Sequence, residues 1–305
     1  MKQIKKCIFC HEMKETSEEH IFPDSLGGNL IIDNVCKGCN NRLGEKVDTH
    51  LVNHGLMQLA RQTKGLKGKK GRLPNPIGVG RYRDDPETTL HYKISDDGKP
   101  NSLYVVPRVN KEEHKYEIVF DASKPDELVN TINKILTRNG QEKKTKDEIL
   151  SSAKYIKDEN PIMDVEMTFD MNSYKKAIIK IIYEMTIYWL GEKFLDDPMG
   201  LRIRNYILSN DSEVEGLIGK VGMVKSKDTG FAFLANSDSH TAILKKDGNK
   251  VLCYVNIFNI FWGGLAVTEN VNLFESIEDR FLTNDIVKKE IRESTLIEEI
   301  IRISN

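Results

Sequence analysis

From Tyr174 to Trp189 the apolar side chains fall at three- and four-residue steps, through Ala177, Ile178, Ile181, Ile182, Met185 and Tyr188, and Gly191 follows. That spacing predicts a helix over residues 173–190 with one buried stripe, closed by the glycine. A second helix is expected over 198–208, and an amphipathic one with alternating charge over 285–302. Between residues 84 and 124 the pattern changes to short alternating runs, at 90–94, 104–106 and 116–120, with a turn at Asp97-Gly98. Helices are expected at 124–138 and 146–156, and a strand at 166–170. Residues 240–244 and 251–257 flank Asp247-Gly248, a hairpin signal. The most apolar window, 255–267, is broken by Asn256 and Asn259 and reads as buried strand, with Cys253 beside it as a small buried hydrophobe. The mixture predicts an α+β fold.

The first 60 residues obey another rule. Cys7 and Cys10 form one Cys-x-x-Cys pair and Cys36 and Cys39 a second, 25 residues on. Two such knuckles supply four thiolates to a tetrahedral zinc site. The spacer exceeds the roughly 15–20 residues of a simple ribbon, so something is folded inside it. It reads as a strand at 19–22, a loop at Gly27-Gly28 and a strand at 30–35. A helix then runs from the second knuckle through Leu59. So small a unit buries little apolar surface, and a metal would supply much of its folding energy.

Glu19-His20-Ile21-Phe22-Pro23, the Gly27-Gly28 pair and Cys36-Lys37-Gly38-Cys39-Asn40 together resemble the HNH endonucleases, in their zinc-stapled ββα-metal form. The resemblance implies that His20 is the general base for phosphodiester hydrolysis, and an imidazole, which titrates near neutrality, suits that work. It also implies that Glu19 and Asn40 hold one catalytic Mg²⁺ or Mn²⁺, distinct from the zinc. Glu19 stands where the family commonly has Asp, and Asn40 where it often has His. The middle family residue, which orients the base, has three candidates here, Asn29, Asp33 and Asn34. Asn41 is a second candidate for the role of Asn40.

Charge adds a partner. Residues 1–83 carry 15 Lys and Arg against 8 Asp and Glu, a balance of +7, and the remainder carries 30 against 38, or −8. Arg61, Lys64, Lys67, Lys69, Lys70, Arg72, Arg81 and Arg83 follow the module without one acid, among glycines and prolines. A basic arm of this kind suits DNA phosphates and sequence-neutral binding, and Arg42 joins its first six residues as an expected DNA contact. The expected organisation is a nuclease module at 1–60, the arm at 61–83 and an α+β body at 84–305 that regulates, chooses the target or dimerises. Asp238, Ser239 and His240 are read as a loop entering a hairpin and not as a hydrolase site.

The function expected is metal-dependent DNA cleavage, with restriction or phage defence suggested by a loose likeness in layout to bacterial HNH proteins. A homodimer would serve double-strand cutting. A non-catalytic zinc-ribbon DNA-binding protein is the alternative. No run approaches the roughly 18 apolar residues of a membrane span. The N-terminus reaches a knuckle without an apolar signal core, so a cytoplasmic protein is expected.

Overall fold

The computed structural model describes residues 4–112, 115–167, 169–209, 219–224, 234, 236–271 and 279–304. It is an α+β protein. Its contacts group into two compact units, Met1–Pro74 with Phe169–Asn305, and Asn75–Thr168.

The chain opens with strands β1 (Ile4–Lys6), β2 (Met13–His20) and β3 (Ile31–Cys36), an antiparallel sheet in that order. β2 starts earlier than expected and ends at His20, while Ile21 and Phe22 continue into the core. The helix expected through Leu59 is broken into three pieces. α1 (Lys37–Leu43) runs through a π-helical turn, Gly44–Asp48, into α2 (Thr49–Val52). The chain reverses at Asn53 and His54, and α3 (Gly55–Thr63) follows with the His54 ring as its cap, accepting from Leu56 N at 3.3 Å. Leu43, Val47, Leu51, Met57 and Ala60 point inward from these segments. The apolar period survives the break because each piece keeps its own inward face.

The second unit holds β4 (Val79–Tyr82), β5 (Asp85–Ile94), β6 (Pro100–Val105), β7 (Arg108–Glu112), β8 (Lys115–Val119), α4 (Pro125–Arg138), α5 (Lys146–Ser151) and β9 (Met163–Asp164). Its sheet runs β6-β5-β4-β9, with β7 and β8 as a separate hairpin. α5 starts at a capping box, Thr145 and Glu148, and stops five residues before the expected end. The strand expected at 166–170 does not form: the pairing residues are Met163 and Asp164, and Thr168 lies outside the described residues.

The first unit resumes with α6 (Lys175–Leu190), α7 (Pro198–Leu208), β10 (Gly219–Met223), β11 (Ser239–Asp247), β12 (Lys250–Ile257), β13 (Phe261–Thr268), β14 (Arg280–Asp285), β15 (Glu290–Ser294) and α8 (Leu296–Ser304). The sheet order is β10-β13-β12-β11-β14-β15, all antiparallel where paired. β12 buries Val251, Cys253, Val255 and Ile257, every second residue, on the face that α6 covers. The 255–267 window is two strands, not one, because Phe258 and Asn259 take positive φ and turn the chain. The helix expected at 285–302 is corrected as well. Asp285 ends β14, Lys289 turns at φ 57°, Glu290–Ser294 pairs as β15, and only Leu296–Ser304 is helical. Its apparent helical period joined the last strands to a short helix.

Candidate active site

The N-terminal module has two poles, one of sulfur and one of polar groups. At the first, Cys7 and Cys10 sit in a tight knuckle whose carbonyl at Cys7 accepts from His11 N at 2.8 Å, with His11 in the left-handed region. Cys36 caps α1 and Cys39 lies on its first turn. The four Sγ atoms lie within 4.8 Å of one another, and Cys10 and Cys36 are 3.8 Å apart. A tetrahedron with Zn–S bonds of about 2.3 Å has sulfurs roughly 3.8 Å apart, so the cluster fits a structural metal such as zinc. Cys36 N points at Cys7 Sγ at 3.3 Å, a donor toward thiolate charge. Burial, and next the charge of the neighbouring sulfurs, pushes the Cys39 thiol up; a bound cation removes that penalty. Tyr183 of α6 donates to Ile8 O at 2.8 Å and Arg204 of α7 to Phe9 O, which fixes the first knuckle's backbone.

The second pole lies where β2 ends against α1. His20 is half-buried, and its Nδ1 is 2.9 Å from Gly28 O. A carbonyl only accepts, so Nδ1 carries a proton, and in the neutral ring Nε2 keeps the lone pair. Gly28 is required there: a Cβ would stand 1.7 Å from Phe22 O. Asn40 donates from Nδ2 to Glu18 O at 2.8 Å and to Ser17 Oγ at 3.3 Å, which orients its amide along the end of β2. None of the three candidates for the orienting role has a side-chain bond to His20 among the described residues. Asp33 pairs with Lys5 at 2.6 Å, Asn34 Oδ1 is buried with no hydrogen-bond partner among the described residues, and Asn29 uses its backbone N–H toward Asn284.

Glu19 is the departure. Its side chain is 6% exposed, and Oε1 accepts from Lys180 Nζ of α6 at 2.6 Å. Lys180 is fully buried and also lies 3.2 Å from Asp48 Oδ2 and 3.2 Å from Glu184 Oε1. Burial alone would lower the Lys180 ammonium, but Asp48, Glu184 and Glu19 outweigh it and hold its pKa well above the ordinary value. Burial pushes Asp48 and Glu184 up despite the ammonium. A readable signal for this cluster existed. Lys180 and Glu184, at i and i+4, are the only charges in an otherwise uncharged stretch from Ala177 to Leu190.

The basic positions separate. Arg61 is on α3, 5% exposed, and burial lowers its guanidinium; it is a core residue and not part of an arm. Lys64 pairs with Asp238 at 2.6 Å and lies over the Phe258 ring. Arg42 donates to Leu208 O at 2.7 Å. Lys67, Lys69, Lys70 and Arg72 are exposed in the coil before Pro74.

The knuckles, the His20 strand and the helix that carries Asn40 are thus in one place, and comparison with protein families agrees. Residues 7–56 match the HNH endonuclease family. The HNH match ends before α3 is complete and leaves the rest of the chain uncovered. No curated protein and no solved structure matches the chain. Among the described residues, no helix is long and apolar enough to cross a membrane.

Proposed function

We propose that the chain is a metal-dependent DNA endonuclease whose HNH module hydrolyses a phosphodiester with His20 as general base. The observation that carries this reading is the His20 ring itself. It is partly exposed, held through Nδ1 by the Gly28 carbonyl, and left with Nε2 to take a proton from an attacking water. Asn40 on α1 would present its side-chain oxygen to a Mg²⁺ or Mn²⁺ ion, with Glu19 sharing its carboxylate between Lys180 and that ion. Such an ion, when bound, offsets charge developing on the phosphate. Mg²⁺ keeps several waters and needs only one or two protein groups, which this donor set fits. Cys7, Cys10, Cys36 and Cys39 hold a structural zinc in the same reading. The exposed Lys67, Lys69, Lys70 and Arg72 follow the duplex backbone by charge.

One observation favours the alternative of a non-catalytic zinc-stapled DNA-binding protein: Lys180 already neutralises Glu19 from within the core. The two readings part on nicking of supercoiled plasmid by the intact chain. Nicking with Mg²⁺ or Mn²⁺ that EDTA abolishes supports the nuclease. Duplex binding with no nicking under any divalent ion supports the alternative. A setting in restriction or phage defence, and a cytoplasmic location, belong to the same proposal and rest on sequence layout alone.

A further inference from the structure

The carbonyl that holds His20 belongs to a loop that is gripped from far along the chain. Asn284 on β14 is fully buried, and its amide brackets the Gly28 residue on both sides. Nδ2 donates to Gly27 O at 2.9 Å, and Oδ1 accepts from Asn29 N at 2.7 Å. One residue earlier, His240 on β11 donates from Nε2 to Leu26 O at 2.8 Å. Asn284 and His240 are direct partners in the β11–β14 register, so the two side chains stand next to each other on the sheet. Ring contacts add to the hold: Phe22 stacks on His240 at 5.0 Å, and Phe258 lies 4.3 Å away on its other contact. Gly27, at φ 81°, has Ile286 where a Cβ would go, so the turn admits no side chain there. Burial brings His240 down to about 4, which keeps it neutral near pH 7 with its one proton on Nε2.

We infer that Asn284 and His240 are positioning residues for His20, acting through the Leu26–Asn29 backbone to hold the Gly28 carbonyl at His20 Nδ1. In the resemblance stated above, an asparagine inside the module orients the base. Here no module asparagine reaches the ring, and the task passes to backbone held by a residue 264 positions beyond His20. The inference rests on His20 being the base, but its geometry can be read without cleavage. A carbonyl displaced by even about 1 Å no longer selects one tautomer, and misplacement on that scale costs on the order of a hundredfold in rate.

The test uses the full chain and two readouts. The first is the ¹⁵N NMR signature of the His20 ring, assigned by its loss in His20→Gln. Wild type should show a single tautomer with Nδ1 protonated, and Asn284→Ala a mixture of tautomers. The second is plasmid nicking. Asn284→Ala should lower kcat roughly ten- to a hundredfold, with KM for DNA and zinc content unchanged. If Asn284→Ala does not fold, His240→Leu and His240→Gln replace it, since Gln can restore the donor to Leu26 O. Leu should then mix the tautomers and Gln should restore the single form. An unmixed Nδ1–H tautomer in Asn284→Ala or in His240→Leu overturns the inference. If wild type nicks nothing yet the tautomers respond as described, the positioning stands and the nuclease reading falls.

Discussion

The two poles of the N-terminal module, where the HNH match lies, solve the same problem, holding side chains still, by different routes. At the sulfur pole all four thiols come from residues 7–39, and a metal that they bound could bring them into register. At the polar pole stand His20, Glu19 and Asn40, and residues far along the chain bond Glu19 and the loop whose carbonyl meets His20. Lys180 and Glu184 come from α6, and Asn284 and His240 from the sheet. A metal-binding geometry is set by the strong directional demands of one ion. A base needs orientation by weak bonds, each worth about 1 kcal/mol, and only a buried, crowded frame makes several of them persist. The module is therefore local in sequence, but the packing around Glu19 and the His20 loop is not.

Removing the metal should have the largest effect. Cys36→Ala should abolish stoichiometric zinc and unfold the 4–63 region, because structural zinc contributes on the order of 10 kcal/mol to such folds. Metal analysis with far-UV circular dichroism reads this, and unchanged zinc content would show that these four thiols do not hold the metal. Next comes the buried ammonium. Lys180→Met leaves Glu19, Asp48 and Glu184 without their counter-charge and should cost about 3–5 kcal/mol in urea unfolding. A loss below about 1 kcal/mol would mean that α6 does not hold the polar pole. The smallest effect belongs to the exposed coil. Replacing Lys67, Lys69 and Lys70 together by Gln should weaken binding alike on unrelated duplexes and flatten log affinity against log salt by up to about 3. Unchanged slope would show that the coil does not touch phosphates, and altered site preference would show that it reads bases or groove shape.

Much of this was legible beforehand, for definable reasons. The cysteine pairs stand out because metal chemistry tolerates few residue types at few spacings, and their sulfurs cluster as expected; Glu19-His20 and Asn40 are marked only by the motif. α6, α7 and the β11–β12 hairpin follow from periodicity and an Asp-Gly turn. What stayed hidden was tertiary. Arg61 looked like one of a basic run, but the period of α3 turns it inward, a placement that charge counting does not register. The false helix at 285–302 arose because alternating charges beside isoleucines suit a strand pair and a helix alike. Asn284 and His240 carry no local mark at all, since their meaning lies in a loop more than 200 residues earlier. Lys180 and Glu184 did carry one, as paired charges inside an apolar stripe.

Whether His20 acts as a base held in place is decided by His20→Ala on the intact chain. Supercoiled plasmid with Mg²⁺ or Mn²⁺ is the substrate, and zinc content and duplex affinity are measured on the same preparation. Nicking should disappear while zinc and DNA binding stay near wild type, because a general base acts on the attacking water and not in assembly. Nicking by His20→Ala at the wild-type rate would contradict that role.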